Sequence, residues 1–183
     1  MRISDLDIFI IPGLGGSGPD HWQHRWAQKL STARLIEQAD WHNPDQEAWV
    51  SKILREIEAA ERPVVLIGHS LGSLAAASAA AAAPEKIAAA FLVAPPDPHA
   101  PTLPPHIDPA FRDKTPQGLL KVPGVLVASR NDPFASYDFA EKLAEDWGLK
   151  LADAGEAGHI NAESGHGPWP EGLMAIAGLL SKI

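Results

Sequence analysis

Short apolar runs recur along the sequence, and most of them are followed by a segment with helical periodicity. The run Asp7 to Ile11 leads into the glycine-rich segment Pro12 to Gly18, and the run Pro63 to Ile67 leads into an alanine-rich segment. Continuous apolar runs of this length predict strands that are buried on both faces. Parallel strands need crossover connections, which helices supply. The alternation therefore predicts an α/β fold in which a mainly parallel sheet lies between two layers of helices.

The other elements are placed by the same reasoning. Strands are predicted at 7–11, 34–38, 63–67, 87–93, 124–129 and 149–152. Helices are predicted at 21–30 with Asp20 as the cap, from Asn43 to Ile57, after Ser70, from Asp132 to Trp147 and from Trp169 to Leu180. Nine prolines lie between Ala94 and Gly124, and because proline breaks helices we expect a stiff loop there, over one edge of the sheet.

The composition limits the number of domains and the classes of partner. With 183 residues, 45% of them hydrophobic, the chain can build one sizeable core, so we expect a single domain over 1–183. A net charge of −8 without basic blocks argues against a nucleic-acid partner. No stretch approaches the roughly 20 apolar residues of a membrane span, and the first apolar run is too short for a secretory signal. We expect a soluble, cytoplasmic protein, and the sequence indicates neither a protein partner nor an oligomeric state.

The pentapeptide Gly68-His-Ser-Leu-Gly72 is the strongest chemical signal in the sequence. It fits the G-x-S-x-G pattern and lies between an apolar strand and a helix, which is the context of the nucleophile elbow in α/β-hydrolases. The sharp turn strains the backbone, and glycines on either side relieve crowding. Ser70 is therefore the predicted nucleophile, with a helix-capping serine as the alternative. We expect Ser73 to make a packing contact and His69 to pack behind the site.

A serine nucleophile needs a base, and that base needs an acceptor on its second ring nitrogen. In α/β-hydrolases the order along the chain is serine, acid, histidine, and each lies on a loop after a strand. Asp132 follows the predicted strand 124–129 and His159 follows the predicted strand 149–152. We therefore predict Asp132 as the acid and His159 as the base.

Other candidates for these roles are less well placed. The competing acids, in the proline-rich loop or inside a predicted helix, are Asp97, Asp113 and Asp138. His166 lies on the same loop as His159 and is its rival, and Asp132 also fits an ordinary helix cap before proline. His21 and His24 stand three residues apart without a third ligand nearby, which is a weak metal pattern. The sequence has no cysteine, so we predict no metal and no cofactor.

Two backbone N–H groups are predicted to bind the negatively charged oxygen of a tetrahedral intermediate. One is the N–H of Leu71, directly after the nucleophile, and the other is the N–H of Leu14, in the loop after the first strand. The glycines around Leu14 let this loop approach a substrate closely. The loop lacks the lysine of a P-loop and does not match G-x-G-x-x-G, so we do not interpret it as a phosphate site.

Five blocks of sequence together resemble the small serine hydrolases that include retinoblastoma-binding protein 9 and the bacterial YdeN-like proteins. These blocks are Pro12-Gly-Leu-Gly-Gly-Ser17, Asp20-His-Trp-Gln-His-Arg-Trp26, Gly68-His-Ser-Leu-Gly-Ser73, Ser129-Arg-Asn-Asp-Pro133 and Gly158-His-Ile-Asn161. The resemblance covers nearly the whole chain. It implies a compact α/β-hydrolase with a mainly parallel six-stranded sheet and no helical cap domain, and the activity of an esterase or related hydrolase.

Three functions are compatible with these observations. The first is hydrolysis of a carboxylic ester of a small molecule through an acyl-serine intermediate. The second is transfer of the same acyl group to an acceptor other than water, and the third is a weakly active scaffold that binds a protein partner. Without a cap, the cleft should be open and covered by the loop from Pro95 to Pro123, which favours small acyl groups. Trp22 and Trp26 are expected to pack in the core, with lining of the cleft as the alternative.

Overall fold

Six parallel strands form the central sheet in the computed structural model, which describes residues 3–183. The strands are β1 (Asp7–Ile11), β2 (Ala33–Leu35), β3 (Val64–His69), β4 (Ile87–Val93), β5 (Gly124–Ala128) and β6 (Lys150–Asp153). Their spatial order is β2-β1-β3-β4-β5-β6, and every neighbouring pair is parallel. The predicted parallel sheet is confirmed.

Helices cover both faces of the sheet. They are α1 (Trp22–Lys29), α2 (Gln46–Ala59), α3 (Leu71–Ala82), α4 (Ala110–Asp113), α5 (Tyr137–Trp147) and α6 (Pro170–Leu180). Helices α2, α3 and α5 pack on one face, and α1 and α6 pack on the other. The described residues contain no helical cap domain, so the predicted three-layer α/β-hydrolase architecture is confirmed. No helix in this part of the chain is long and apolar enough to cross a membrane.

Alternation of side chains along the strands divides the core into two halves. In β1, Phe9 and Ile11 join the cluster that contains α2 and α3, whereas Ile8 and Ile10 join the cluster that contains α1 and α6. Both faces of the strand are thus buried, which explains why the strands appear in the sequence as continuous apolar runs. Helix α3 is rich in buried alanine, and the small side chains let it lie close to the sheet.

Helix α1 begins differently from the sequence prediction. Its N-cap is His21, whose Nδ1 accepts a hydrogen bond from the N–H of Gln23 at 3.1 Å. The predicted cap, Asp20, is an exposed residue that instead pairs with Arg25 at 3.6 Å. An imidazole nitrogen can fill the role of a capping oxygen because it offers a lone pair at similar reach.

Helix α5 also begins later than predicted. The prediction opened it at Asp132 and Pro133, but the helix starts at Tyr137 with Ser136 as its N-cap. The Asp132 carboxylate accepts from the N–H of Phe134 at 2.9 Å and so closes a local turn. That turn stands clear of the helix, which leaves the Asp132 carboxylate available to a partner elsewhere in the fold.

Other element boundaries move by a few residues. Helix α2 starts at Gln46, after Asp45 as the cap, and not at Asn43. Strand β2 ends at Leu35, before the predicted end at 38. Strand β3 continues to His69, two residues beyond the predicted end, and this extension brings the strand directly to the nucleophile candidate.

The proline-rich segment between β4 and β5 is irregular, as predicted, and holds only the short helix α4 among its described residues. Its position differs from the prediction. The buried Phe111 packs edge-on against Trp49 of α2, with 5.7 Å between ring centroids, so the segment lies on α2 and α3 and not over a sheet edge. Leu103, Pro104 and Ile107 of this segment line the cleft next to Ser70.

Candidate active site

Ser70 occupies the sharp turn between β3 and α3. Its backbone has φ 55° and ψ −130°, a conformation that costs an L residue about 1–3 kcal/mol. The Ser70 N–H donates to the carbonyl of Val93 at 3.0 Å, which ties the turn to β4. The Ser70 side chain lines a cleft beyond the carboxyl ends of the strands, where open α/β sheets bind their ligands.

The two glycines of the elbow avoid different steric clashes. A Cβ atom on Gly68 would lie 2.6 Å from the Cα of Ser73, which is the crowding inside the turn that the sequence predicts. A Cβ atom on Gly72 would lie 2.2 Å from the carbonyl oxygen of Ile11 and 2.4 Å from that of Pro12. Gly72 therefore allows α3 to approach the end of β1, a constraint outside the elbow itself.

The three residues predicted to act together meet at the end of the sheet. His159 Nε2 lies 2.9 Å from Ser70 Oγ, and His159 Nδ1 lies 3.0 Å and 2.9 Å from the two carboxylate oxygens of Asp132. Because Nδ1–H donates to the carboxylate, Nε2 carries the lone pair that accepts from the Ser70 hydroxyl. This is the geometry that removal of a proton from a serine requires.

A tryptophan on α1 supports the loop that carries His159. Gly158 has φ 58° and Ile160 has φ 50°, so the backbone turns sharply on both sides of the histidine. The indole N–H of Trp22 donates to the carbonyl of Ile160 at 2.9 Å. Trp22 is fully buried and packs edge-on against Trp26 and at a tilt against Trp169, away from the cleft lining. The expected packing role is found, and the alternative of lining the cleft is not.

The predicted oxyanion donors lie beside Ser70. Leu71 is the first residue of α3, so its N–H has no acceptor within the helix. The N–H of Leu14 makes no hydrogen bond to a residue that the structure describes. The two groups are close, because a Cβ atom on Gly13, next to Leu14, would lie 2.8 Å from Ser70 Cβ and 3.3 Å from Leu71 N. The positive end of the α3 dipole adds to this donor pair.

The rival residues make other contacts. Ser73 Oγ donates to the Val93 carbonyl and accepts from the Val93 N–H, as expected of a packing residue. His166 Nδ1 lies 3.2 Å from Ser164 Oγ. Among the competing acids, Asp97 accepts from the N–H of His99, Asp113 pairs with Arg112, and Asp138 lies in the first turn of α5.

A family model described as "Serine hydrolase" matches residues 8–178. The chain belongs to the serine hydrolase family. A YdeN-like hydrolase from Pectobacterium atrosepticum is 39% identical, with a TM-score of 0.87 over 97% of this chain and 92% of that chain. The ydeN gene product of B. subtilis is 18% identical, with a TM-score of 0.76 over 96% and 98% of the two chains.

A hydrolase of the α/β superfamily from Xanthomonas campestris is 23% identical, with a TM-score of 0.67 over the full length of both chains. At such identities the likeness shows a shared fold. No curated protein matches the chain significantly. The resemblance noted in the sequence is confirmed by the family match and the YdeN-like neighbours, and membership of the family supports a hydrolase function.

Two polar residues of this serine hydrolase connect the Asp132 loop to the His159 loop. Asn131 Oδ1 accepts from the N–H of Gly158 at 2.7 Å and from the hydroxyl of Ser129 at 2.9 Å. Ser129 Oγ in turn accepts from the N–H of Ala157 at 2.9 Å. Sequence reasoning missed both residues, although they precede the predicted acid in the same short block.

Substitution of Asn131 by alanine should lower kcat/KM by about 10- to 100-fold, because small displacements of a base are costly to catalysis. The free energy of unfolding should fall by only about 1–2 kcal/mol. Ester hydrolysis and urea denaturation measure the two effects. Asn43→Ala is a matched control, since Asn43 bonds to Asp40 in a surface turn. Unchanged kcat/KM in Asn131→Ala, or an equal loss in the control, would contradict this role.

The cleft of this serine hydrolase encloses about 390 Å³ and is lined by both apolar and polar side chains. The apolar residues that line it, glycines aside, are Leu14, Pro19, Leu71, Leu103, Pro104, Ile107, Phe134 and Ala162. The polar and charged residues that line it, besides Ser70 and His159, are Asp20, His21, His69, Asn161 and Glu163. Among residues 3–183, no lysine or arginine lines the cleft. The volume suits a small molecule.

Two buried histidines stand beside His159 and remain uncharged. His69 Nε2–H donates to the carbonyl of His159 at 2.8 Å, so it packs behind the base, as the sequence predicts. Burial, and then the nearby His159 and His21, hold the pKa of His69 well below its usual value. Burial, with smaller effects of His159 and His166, lowers the pKa of His21 to about 4.

The low pKa values of His21 and His69 predict that the protein loses stability in mild acid. The unfolded chain binds a proton at each histidine near the ordinary pKa of about 6.5, whereas the folded chain binds it only at lower pH. Below this pKa the unfolded state carries more protons, so the free energy of unfolding should decrease as the pH falls. The slope should reach about 1.4 kcal/mol per pH unit for each histidine. For His21 it should extend down to a pH of about 4.

Urea denaturation at a series of pH values between about 4 and about 6.5 measures how steeply the free energy of unfolding depends on pH. The substitution His21→Asn keeps a capping acceptor at the start of α1 and removes one of the two titrating groups. Its unfolding free energy should therefore depend less steeply on pH than that of the wild-type protein. Equal slopes in the two proteins would contradict the assignment of this pH dependence to His21.

Proposed function

We propose that this protein hydrolyses carboxylic esters of small molecules through an acyl intermediate on Ser70, with His159 as base and Asp132 as its orienting acid. The observation that supports this most directly is the continuous pair of contacts from Ser70 Oγ to His159 Nε2 and from His159 Nδ1 to the Asp132 carboxylate. Both ring nitrogens of His159 are used, so the tautomer that accepts the serine proton is the one favoured.

In the first half-reaction, Ser70 Oγ bonds to the carbonyl carbon of the ester while its proton passes to His159 Nε2. The carboxylate of Asp132 stabilises the resulting imidazolium. The carbonyl oxygen becomes negatively charged and accepts from the N–H groups of Leu14 and Leu71. When the intermediate collapses, the ester C–O bond breaks, and the leaving alcohol takes the proton from His159.

In the second half-reaction, water replaces the alcohol. His159 Nε2 takes a proton from the water as its oxygen bonds to the acyl carbon, and the same two N–H groups bind the oxyanion. The bond to Ser70 Oγ then breaks, the serine regains its proton from His159, and the carboxylic acid leaves. An acceptor other than water would give acyl transfer from the same acyl-enzyme.

A fluorophosphonate probe tests the nucleophile. We expect one covalent adduct, assigned to Ser70 itself by fragmentation of the labelled peptide, and loss of p-nitrophenyl acetate hydrolysis in proportion to labelling. Ser73, three residues away and buried, serves as an internal control because it should remain unmodified. An adduct on Ser73 or on any other residue would reject Ser70 as nucleophile. A folded protein that neither reacts with the probe nor turns over esters would favour the scaffold function.

The shape of the cleft predicts a preference for short acyl groups. Leu103, Pro104 and Ile107 of the proline-rich segment line the cleft and should limit the length of the acyl chain that it accepts. We therefore expect kcat/KM to fall about tenfold or more from butyryl to decanoyl esters. Ile107→Ala should shift the optimum towards longer chains. Leu119→Ala, at a residue 67% exposed and outside the cleft lining, should leave the profile unchanged. A wild-type preference for the longest chain would contradict this prediction.

A further inference from the structure

His21 is a buried residue of the cleft that the proposed chemistry does not use. It is 7% exposed and lines the cleft together with Ser70 and His159. Its ring lies 4.8 Å from the ring of His69, which lies 4.9 Å from the ring of His159, all measured between centroids. The three rings form a row that starts at the base and ends at His21.

Hydrogen bonding fixes the tautomer of His21. Its Nδ1 accepts from the backbone N–H of Gln23 at the start of α1, so Nδ1 carries a lone pair and the proton resides on Nε2. The depressed pKa, about 4, keeps the ring uncharged under ordinary conditions. His21 therefore presents one N–H donor with no net charge.

The Nε2–H of His21 faces the cleft. This nitrogen makes no hydrogen bond to any described residue. If it were also shielded from solvent it would be a buried, unpaired polar atom, but the only such side-chain atom in residues 3–183 is Arg25 Nε. The Nε2 atom of His21 must therefore remain accessible, and because the residue lines the cleft, the access is through the cleft. A donor in this setting is satisfied only by solvent or by a ligand.

The position of His21 corresponds to the alcohol portion of an ester. The leaving alcohol takes its proton from His159 and so departs on the side of that ring. Asn161 and Glu163 also line the cleft, and because they follow His159 on the same loop, we assign them to this side of it. The ring of His69 contacts the rings of both His159 and His21, which places His21 on the same side of the cleft as the base. The apolar residues of the proline-rich segment are left for the acyl group.

We propose that His21 is a specificity residue whose Nε2–H donates a hydrogen bond to an uncharged oxygen in the alcohol portion of the ester. The proposal rests on the ester hydrolysis proposed above. Glu163 adds negative charge to the lining, the charge of Asp20 is paired with Arg25, and no lysine or arginine of residues 3–183 lines the cleft, so an anionic alcohol portion such as a phosphate is disfavoured. The substrate class is thus a short apolar acyl group on a neutral, oxygen-bearing alcohol.

Two isosteric esters test this donor. 2-Methoxyethyl acetate and n-butyl acetate differ only in an ether oxygen in place of a methylene group, and acetate release measures kcat/KM for both. We expect the ratio of kcat/KM, methoxyethyl over butyl, to fall about tenfold in His21→Asn. Asparagine keeps an acceptor for the Gln23 N–H and removes the imidazole donor. Comparing ratios between proteins cancels the intrinsic difference in reactivity of the two esters.

His24→Asn is the matched control, because His24 is on the same helix but outside the cleft lining, and its ratio should equal that of the wild type. His21→Gln is a second variant in case His21→Asn does not fold. An unchanged ratio in a folded His21 variant would overturn the proposal while ester hydrolysis itself stands. Failure of wild-type protein to hydrolyse either ester or to react with the probe would instead reject the proposed function.

Charged esters separate the donor from a simple charge effect. The acetate ester of 2-hydroxyethyl phosphate should be the poorest substrate. Acetylcholine should be turned over no faster than 2-methoxyethyl acetate. If acetylcholine is strongly preferred and its kcat/KM is unaffected in His21→Asn, the region around His21 binds a cation and the proposal is wrong.

Discussion

Replacement of Ser70 by alanine is expected to lower kcat for a short-chain ester by about six orders of magnitude. The substitution removes the atom that forms the acyl bond, and His159 then has no hydroxyl to deprotonate. Residual turnover should come from water attacking a substrate that is still held by the N–H groups of Leu14 and Leu71. Hydrolysis of p-nitrophenyl acetate by freshly purified protein, with probe labelling in parallel, measures the loss.

A second substitution in the same group of residues provides a stringent control, because the effects of residues that act together do not add. If Ser70, His159 and Asp132 act as one unit, Ser70→Ala combined with His159→Ala should be no slower than Ser70→Ala alone. Folding should be unaffected, and Ser70→Gly should be more stable than wild type by about 1 kcal/mol, because glycine tolerates φ 55°. A Ser70→Ala protein that retains a tenth of wild-type kcat would place the nucleophile elsewhere.

Gly72→Ala is expected to have the largest effect on stability, with a loss of about 3–5 kcal/mol or failure to fold. The added Cβ would lie 2.2 Å from the carbonyl oxygen of Ile11. That oxygen is part of the backbone, and a Cβ is fixed rigidly to its own backbone, so neither atom can move aside cheaply. Helix α3 would have to shift away from β1, and Ser70 at its start would shift with it. Urea denaturation measures the stability, and probe labelling of any folded fraction reports the position of the serine.

Gly178→Ala is the matched control for this substitution. A Cβ atom at Gly178, in α6, would meet nothing within 4 Å. Alanine is the better helix former, so this variant should be more stable than wild type by about 0.5–1 kcal/mol. A Gly72→Ala protein as stable as wild type would show that α3 does not need its close approach to β1.

Most of the fold could be predicted from the sequence because its strands are buried on both faces and carry an unbroken apolar signal. One boundary that moved, the start of α5, depends on a tertiary contact. Asp132 is a good helix cap by type, but its carboxylate binds His159, so Ser136 caps α5 instead. That the whole chain forms one domain and that the protein is cytoplasmic stay predictions.

The three residues that meet at the end of the sheet could be predicted because each follows a strand in a recognisable position. The roles assigned to His21 and Asn131 could not, because the only pattern His21 fits is a weak metal pair and Asn131 is recognisable only as a neighbour of the acid. Asn131 matters through a bond to the N–H of Gly158, 27 residues later, and His21 through the cleft that it enters. Such roles depend on which loops touch, and the local sequence does not record that.

The proline-rich segment that lines the cleft should affect the kinetics of substrate binding. Proline restricts the backbone of this segment before a substrate binds, so binding should cost little conformational entropy. No hinged lid has to open among the described residues, and exchange of reactant and product should be set by diffusion more than by gating. Solvent then reaches the acylated serine continuously, so bulk water should outcompete scarcer acceptors for the acyl group.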